Sequence, residues 1–141
     1  MKDKTLKLDD LIEISEFHKG RDLDLLAQGK DFYEDVDGYP AGCFNLPEDI
    51  KFLGLNIYKD GVPRGKHHHL IKTEYTYVLK GSIKTELYLI DDPTQRKDII
   101  LREGQMIYFP QRIHHTLTAI NGDAIAFEAS PQPYDENDYY K

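Results

Sequence analysis

The residues best suited to chemistry in this chain are three consecutive histidines, His67 to His69, followed after a short segment by Glu74. Side chains at positions i and i+2 of a strand lie on the same face, so His67 and His69 can converge while His68 points away. The segment Leu70 to Thr73 is short enough to form a turn that brings the Glu74 carboxylate back to the two imidazoles. The pattern indicates metal binding or acid–base chemistry.

A second histidine pair, His114 and His115, lies farther along the chain. His115 shares its strand parity with Ile113 and Leu117, so we expect it to face the interior, with His114 as the alternative. Three imidazoles and one carboxylate suit a borderline divalent metal such as Zn, Fe, Mn or Ni, whereas calcium and magnesium prefer oxygen ligands. We therefore expect one divalent transition metal, bound by His67, His69, Glu74 and His115.

The composition limits the classes of protein to consider. A length of 141 residues is enough for one domain with its own core, and the net charge of -7 disfavours nucleic-acid and anionic membrane surfaces. The single cysteine, Cys43, cannot form an internal disulfide and is expected to be a core residue. No apolar run approaches the ~18 residues of a membrane span, and the start of the chain does not resemble a secretory signal. We expect a cytoplasmic protein.

The elements that must position these side chains are strands. From Phe52 onward short segments with a period of two are separated by turn formers, which predicts an antiparallel sandwich or barrel. The predicted strands are 52–59, 74–81, 82–90, 97–101, 105–110, 114–120 and 124–129, with breaks that include 59–65, Gly81 and a hairpin turn at 121–123. Near the N-terminus, "LDDLIEISEF" fits both a helix and a strand, and residues 34–42 predict a loop. The polar tail, 131–141, is expected on the surface.

The two histidine segments resemble the paired motifs of the cupin superfamily. His67, His69, Glu74 and Gly81 match the first motif, and Gly104, Pro110 and His115 match the second, in which Arg112 replaces a glycine. The resemblance covers roughly residues 52 to 130 and implies an all-β fold, a double-stranded jelly-roll barrel with the ligands inside. We expect a mixed helical or strand extension over 1–45, packed or swapped onto the barrel, then the barrel over 46–130 and the tail over 131–141.

"GVPRGKHHH" and the ending "YDENDYYK" are similar to a narrower group, the cupins that modify nucleotide-linked sugars. This group includes the sugar 3,4-ketoisomerases and the cupin domain of capsular-polysaccharide epimerase/reductases. As a class, the ketoisomerases work without a metal and use the histidine pair as acid/base groups. Because this chain keeps both Glu74 and His115, we expect a metal here nonetheless.

The resemblance implies an isomerase or epimerase that acts on a nucleotide-linked or phosphorylated sugar in polysaccharide biosynthesis. His67, His69 and Tyr108 are the candidate acid/base residues, and Arg64, Lys84 and Arg112 are the candidate phosphate-binding residues. The alternatives are an Fe- or Mn-dependent dioxygenase or decarboxylase of a small organic acid, and a non-catalytic cupin that binds a small ligand. We expect a small-molecule partner and a homodimer, and neither a nucleic-acid nor a membrane partner.

Overall fold

The computed structural model describes residues 7–16 and 48–141. The elements are α1 (Leu8–Leu11), β1 (Glu13–Glu16), β2 (Phe52–Tyr58), β3 (Pro63–His67), β4 (Glu74–Leu89), β5 (Arg96–Arg102), β6 (Gln105–Phe109) and β7 (Ile113–Ser130). The predicted loop at 34–42 and Cys43 lie outside the described residues. Within the described ranges, none of the helical structure has the length and apolar character that a membrane span needs.

Two long antiparallel strands, β4 and β7, form the centre of the fold. They are paired from Leu89 and Ile113 at one end to Tyr75 and Ala129 at the other. The first half of β4 pairs with β6, and the second half of β7 pairs with β2. The other halves pair with β5 and β3. The long pair therefore belongs to two sheets, β1-β6-β4-β7-β2 and β5-β4-β7-β3, and joins them at a bend.

The bend lies at two positions where the sequence predicts strand ends. Gly81 has φ 85, and its Cα lies so close to β7 that an added Cβ would be 2.7 Å from the Asp123 carbonyl oxygen. Opposite it, Asn121 and Gly122 have φ values of 59 and 125. The register between β4 and β7 shifts at this point. The predicted hairpin turn at 121–123 is therefore wrong: these residues form an irregularity inside β7, as Gly81 does inside β4, because both strands bend together there.

Two further segments differ from or refine the sequence-based prediction. Residues 59–65 were predicted as a break between strands. However, Pro63–His67 forms β3, because its backbone pairs with β7. Near the N-terminus both readings are realised in succession: Leu8–Leu11 is helical, and Glu13–Glu16 forms a strand that pairs with β6.

The hydrophobic core lies between the two sheets and follows the strand alternation. Its largest fully buried side chains include Ile83, Leu87, Leu101, Ile107, Phe109 and Ile113. In β7, inward residues from Ile113 to Ala119 alternate with partly exposed ones. The predicted all-β architecture is confirmed, and one end of the barrel is left less densely filled, where the histidines lie.

Candidate active site

A cavity of about 270 Å³ opens at one end of the barrel. It is bounded by β2, β3, the start of β4, β7 and the segment that follows β7. Its lining combines imidazole, carboxyl, phenol and guanidinium groups: Phe52, Asn56, Tyr58, Arg64, Gly65, His67, Glu74, His115, Leu117, Glu128, Tyr134 and Tyr139. This mixture of titratable and aromatic groups is typical of a small-molecule site rather than a core void.

A bulge in β3 brings His67 against His115. Gly65 and Lys66 have φ values of 88 and 55, and the register with β7 shifts between Gly65 and His67. A Cβ on Gly65 would lie 2.8 Å from the His115 carbonyl oxygen, so this close approach needs glycine. As a result, the Nε2 atoms of His67 and His115 are 3.2 Å apart.

The Nδ1 atom of each inward histidine contacts a backbone carbonyl. His67 Nδ1 lies 2.9 Å from Gly65 O, and His115 Nδ1 lies 3.1 Å from Ile113 O. His69 Nδ1 lies 2.6 Å from the carbonyl oxygen of residue 138. A carbonyl only accepts hydrogen bonds, so the short contact of His69 places its proton on Nδ1 and leaves its Nε2 as an acceptor. In the His67–His115 pair the two Nε2 atoms contact each other, a hydrogen bond that needs a proton on one of them.

The three rings are neutral at neutral pH. Burial lowers the pKa of His67 and of His69, and it lowers the pKa of His115 well below its usual value. His69 is 3% exposed, and its Nε2 has no hydrogen-bond partner among the described residues. One ring nitrogen from each of the three histidines lies within 4.8 Å of the others. The site therefore presents three converging imidazole nitrogens, and that of His69 is unprotonated.

A buried ionic cluster lies next to the histidines. Lys72 Nζ is 2.5 Å from Glu128 Oε1 and 3.5 Å from Glu74 Oε1, and Asn56 donates a hydrogen bond to Glu128. Burial raises the pKa of Glu74 well above its usual value, and the charge of Glu128 adds to this. Burial also acts to raise the pKa of Glu128, but hydrogen bonds from Glu74, Lys72 and Asn56 and the Lys72 charge outweigh it and hold this pKa at about 2. Burial thus shifts Glu74 toward its protonated form, whereas Glu128 is ionised and Lys72 is an ammonium.

This cluster does not fit a metal centre built on the four predicted ligands. Glu74 lies 3.9 Å from both His69 Nε2 and His115 Nε2, so the four groups do come together. However, Oε1 of Glu74 lies only 3.5 Å from the Lys72 ammonium. A dication bound to Glu74 would be repelled by that buried ammonium, because charge repulsion is strong where water is excluded.

Of the predicted phosphate-binding residues, the structure brings only Arg64 to the cavity. Its guanidinium lies 5.1 Å from the centre of the Tyr58 ring. Lys84 lies 3.8 Å from Glu86 on a partly exposed face of β4, and Arg112 forms a two-pronged ion pair with Asp91. The proposed roles of Lys84 and Arg112 are therefore not supported. Arg112 instead has a structural place: its φ of 67 is the left-handed conformation that the motif glycine would adopt.

Tyr108, a predicted acid/base residue, also lies away from the cavity. Its ring packs on Tyr75 at a centroid distance of 4.8 Å, in a satellite cluster with Met106 and Ala129. Strand parity gives the reason, since Tyr108 alternates with the buried residues Ile107 and Phe109 and so faces the other side of the sheet. The prediction that Tyr108 takes part in catalysis is wrong for this geometry.

The other two histidines of the described ranges, His68 and His114, face away from the cavity. His114 stacks on Tyr88 at 4.4 Å, and His68 stacks on Tyr140 at 5.4 Å. His115, by contrast, is 2% exposed and points inward, the orientation that strand parity predicts. The alternative of His114 as the inward residue is excluded.

Several lining residues were missed by the sequence-based prediction. Glu128 belongs to the inward set of β7 with Ala126 and Ser130, and a carboxylate among these small side chains was a detectable signal. Asn56 and Tyr58 share one face of β2 in the same way. The tail carried no such signal. Asp138 is 4% exposed, so the expectation of a surface tail is wrong at this residue, whereas Tyr139, which lines the cavity, is 39% exposed.

Residues 49–141 match the family model FdtA, described as WxcM-like, C-terminal. None of the curated protein sequences matches the chain significantly. The cupin resemblance inferred from the motifs is confirmed at the level of the family and the fold.

Solved structures share the fold at low identity. The 3,4-ketoisomerase QdtA from Thermoanaerobacterium thermosaccharolyticum, a double mutant in complex with TDP, has a TM-score of 0.67 and 21% identity, covering 91% of this chain and 85% of that chain. WlaRA, a TDP-fucose-3,4-ketoisomerase from Campylobacter jejuni, has a TM-score of 0.65 and 20% identity, covering 91% and 87%. The epimerase RmlC from Legionella pneumophila, in complex with dTDP-4-keto-L-rhamnose, has a TM-score of 0.59 and 15% identity, covering 68% and 55%.

The expectation of a divalent transition-metal cofactor is wrong. The matched ketoisomerases and epimerase belong to a class of nucleotide-sugar enzymes that work without a metal. The physical reason in this chain is the Lys72 ammonium, which already supplies the positive charge beside Glu74 and Glu128. The presence of all four predicted ligands in the sequence was therefore not sufficient to predict a metal site.

Proposed function

This chain belongs to the FdtA family, described as WxcM-like, C-terminal, and on that premise we propose that it is an isomerase or epimerase of a nucleotide-linked sugar. The observation that carries the proposal is the cluster of His67, His115 and Glu74 in a cavity that Arg64 also lines. The buried Nε2 of His69 lies 3.9 Å from Glu74 Oε1 and has no hydrogen-bond partner among the described residues. The solved structures that share the fold include enzymes of this type bound to TDP or to TDP-sugars. The activity expected from the sequence agrees with them.

The chemistry begins with removal of a proton from a carbon next to a carbonyl group. His69 is the base in our proposal, because its ring is neutral and its buried Nε2, 3.9 Å from the cavity residue Glu74, has no hydrogen-bond partner among the described residues. The electron pair of the broken C–H bond moves to the carbonyl oxygen and gives an enediolate. Returning the proton to the neighbouring carbon, or to the opposite face, completes the reaction without a change in composition.

A group that donates to the enediolate oxygen is also required. The Tyr58 hydroxyl lines the cavity, and burial, with the charges of Glu74 and Glu128, raises its pKa to about 12. Tyr58 therefore keeps its proton and can donate a hydrogen bond to the developing oxyanion. The close His67–His115 pair, with one proton between its facing nitrogens, takes the proton of the neighbouring substrate hydroxyl and passes one to the former carbonyl oxygen, so that the isomer forms with no net change in protons.

The mouth of the cavity suits a nucleoside diphosphate. Arg64 uses one N–H to bond the Ile57 carbonyl oxygen, and a guanidinium has five N–H donors, so most of them remain for phosphate oxygens. Phe52, Tyr134 and Tyr139 line the same side of the cavity and offer ring faces on which a nucleobase can stack.

The test is hydrogen exchange from solvent. The protein is incubated in D₂O with TDP-4-keto-6-deoxyglucose, the compound bound in a further QdtA structure, and with a panel of other nucleotide-linked keto-sugars. Deuterium incorporation next to the carbonyl and new sugar signals are followed by NMR. We expect exchange with at least one compound, loss of exchange in His69→Asn, and unchanged exchange in the matched control His114→Asn. We also expect no effect of a metal chelator.

Exchange by His69→Asn at the wild-type rate would contradict the assignment of the base. If no compound in the panel exchanges, binds or shifts the thermal midpoint, the proposed activity is wrong, and a non-catalytic binding cupin becomes the better interpretation. The dioxygenase and decarboxylase alternatives depended on a metal and are dropped with it. The expected homodimer and cytoplasmic location stay predictions.

A further inference from the structure

We propose that Asp138 is a positioning residue for His69: its carboxylate fastens the turn after the histidines, and its carbonyl selects the His69 tautomer. The catalytic consequence rests on the function proposed above, whereas the structural part stands without it. The residues involved, Asp138 to Tyr140, are called the clasp below. No motif or strand pattern in the sequence assigns a role to them.

The Asp138 carboxylate is bound by three successive backbone amides. Leu70 donates to Oδ1 at 2.9 Å, Lys72 donates to Oδ2 at 2.9 Å, and Ile71 donates to both oxygens at 3.2 Å. The side chain sits in a buried environment, since Asp138 is only 4% exposed. Hydrogen bonds to an ionised group are stronger than neutral ones. The carboxylate thus defines the path of the turn that leads from His69 to Glu74.

The Asp138 carbonyl determines which nitrogen of His69 carries the proton. His69 Nδ1 is 2.6 Å from this oxygen, which can only accept, so the proton resides on Nδ1. The Nε2 atom is then an acceptor, and it lies 3.9 Å from Oε1 of Glu74, which lines the cavity. Without this bond His69 could take the other tautomer, in which Nε2 would present a proton and could not act as a base.

The residues of the clasp that follow Asp138 also contact the histidine segment. His68 N donates to Tyr140 O at 2.8 Å, and Tyr140 N donates to His68 O at 3.1 Å. The Tyr139 ring lies 4.7 Å from the His69 ring and 4.9 Å from the His67 ring. Asp138 is therefore fixed by its own side chain and by the strand-like pairing that follows it, and the position of its carbonyl is defined relative to His69.

The experiment reads the His69 tautomer directly and needs no substrate. The full chain is labelled with ¹⁵N-histidine, and long-range ¹H–¹⁵N spectra are recorded for the wild type, Asp138→Asn and the control Glu136→Gln. The control removes the same charge from an exposed residue two positions away. We expect a single Nδ1–H tautomer for His69 in the wild type and in the control. In Asp138→Asn, whose amide group cannot accept from all three amides, we expect a mixture of tautomers.

A kinetic measurement then separates positioning from general stability. In the exchange assay we expect kcat of Asp138→Asn to fall by about 100-fold, the scale of a misplaced catalytic group, with KM changed far less. A purely structural defect would instead lower the active fraction and the thermal midpoint without changing the tautomer of the folded protein.

Each outcome decides a separate point. A folded Asp138→Asn that keeps the single Nδ1–H tautomer overturns the positioning role, even if the protein is an active isomerase. If that variant does not fold, the wild-type spectrum decides alone: an Nε2–H tautomer overturns the proposal, and an Nδ1–H tautomer supports it. Tautomers as expected in a protein that exchanges no sugar would support the clasp and contradict the proposed function.

Discussion

Replacing Lys72 by methionine tests the buried ionic cluster most directly. Lys72 is 6% exposed, and its ammonium contacts Glu128 at 2.5 Å and Glu74 at 3.5 Å. Methionine keeps most of the volume but removes the charge, which leaves the Glu128 carboxylate without its cation. Removing one partner of a buried ion pair typically costs about 3–5 kcal/mol, because the remaining charge is uncompensated.

The electrostatics of Glu128 give a second measure of this cost. Its environment lowers its pKa from 4.5 to about 2. At about 1.4 kcal/mol for each pKa unit, this corresponds to about 3 kcal/mol of stabilisation of the ionised form. Glu74 and Asn56 contribute part of it, so the electrostatic share of Lys72 is smaller. We expect Lys72→Met to lower the free energy of unfolding by about 3 kcal/mol, and the melting temperature by roughly 10 °C.

The assay is urea unfolding at pH 7 of the wild type, Lys72→Met, Glu128→Gln and the double variant. Because the two side chains interact directly, we expect the double variant to be less destabilised than the sum of the singles by at least about 1 kcal/mol. Two results would show that no buried ion pair exists. One is a decrease in the free energy of unfolding of less than about 1 kcal/mol in Lys72→Met, and the other is strict additivity of the two single substitutions. Either would refute the claim that the Lys72 ammonium disfavours a metal.

Two further predictions concern the neighbours of this cluster. Because the folded state raises the pKa of Glu74 above 4.5, it holds a proton that the unfolded chain releases, and stability should fall as pH rises above that value. Glu74→Gln mimics the protonated form, so its free energy of unfolding should not show this decline. In urea unfolding, the difference in stability between the variant and the wild type should therefore grow in favour of the variant from pH 5 to pH 8. The same pH dependence in both proteins would contradict the raised pKa of Glu74. Gly65→Ala should be less stable than the control Gly61→Ala by about 1–3 kcal/mol. Both glycines have positive φ, but only at Gly65 would the Cβ meet His115 O, at 2.8 Å; equal thermal midpoints would contradict this.

Strand parity accounts for what the sequence could predict of the site. Alternation is a local property of the chain, so it correctly places His69 and His115 inside and His68 and His114 outside. The same rule would have identified Glu128 had the inward set of β7 been checked for polar residues. Parity fails at Gly81 and at 121–123, because a turn-forming sequence does not distinguish a hairpin from a bend within a continuous strand pair.

Contacts between segments that are distant along the chain could not be predicted in this way. Asp138 reaches the turn after His69 from the far end of the described chain, with a sequence separation of 68 residues to Leu70. Its surroundings in the sequence are polar and rich in turn formers, as in a solvated tail. Only the folded arrangement shows that its carboxylate is buried and that its carbonyl faces an imidazole.

The metal prediction failed for a related reason, which is the charge balance of the buried site. The sequence places four groups of the correct types at matching spacings, and they do converge. Whether they bind a dication depends on Lys72, which comes from a turn, and on Glu128, which comes from β7. Lys72 and Glu128 already neutralise each other, so a dication bound to an ionised Glu74 would leave one excess positive charge in a site with little water. A ligand motif therefore predicts a metal only when the other buried groups around it do not already balance the charge of the site.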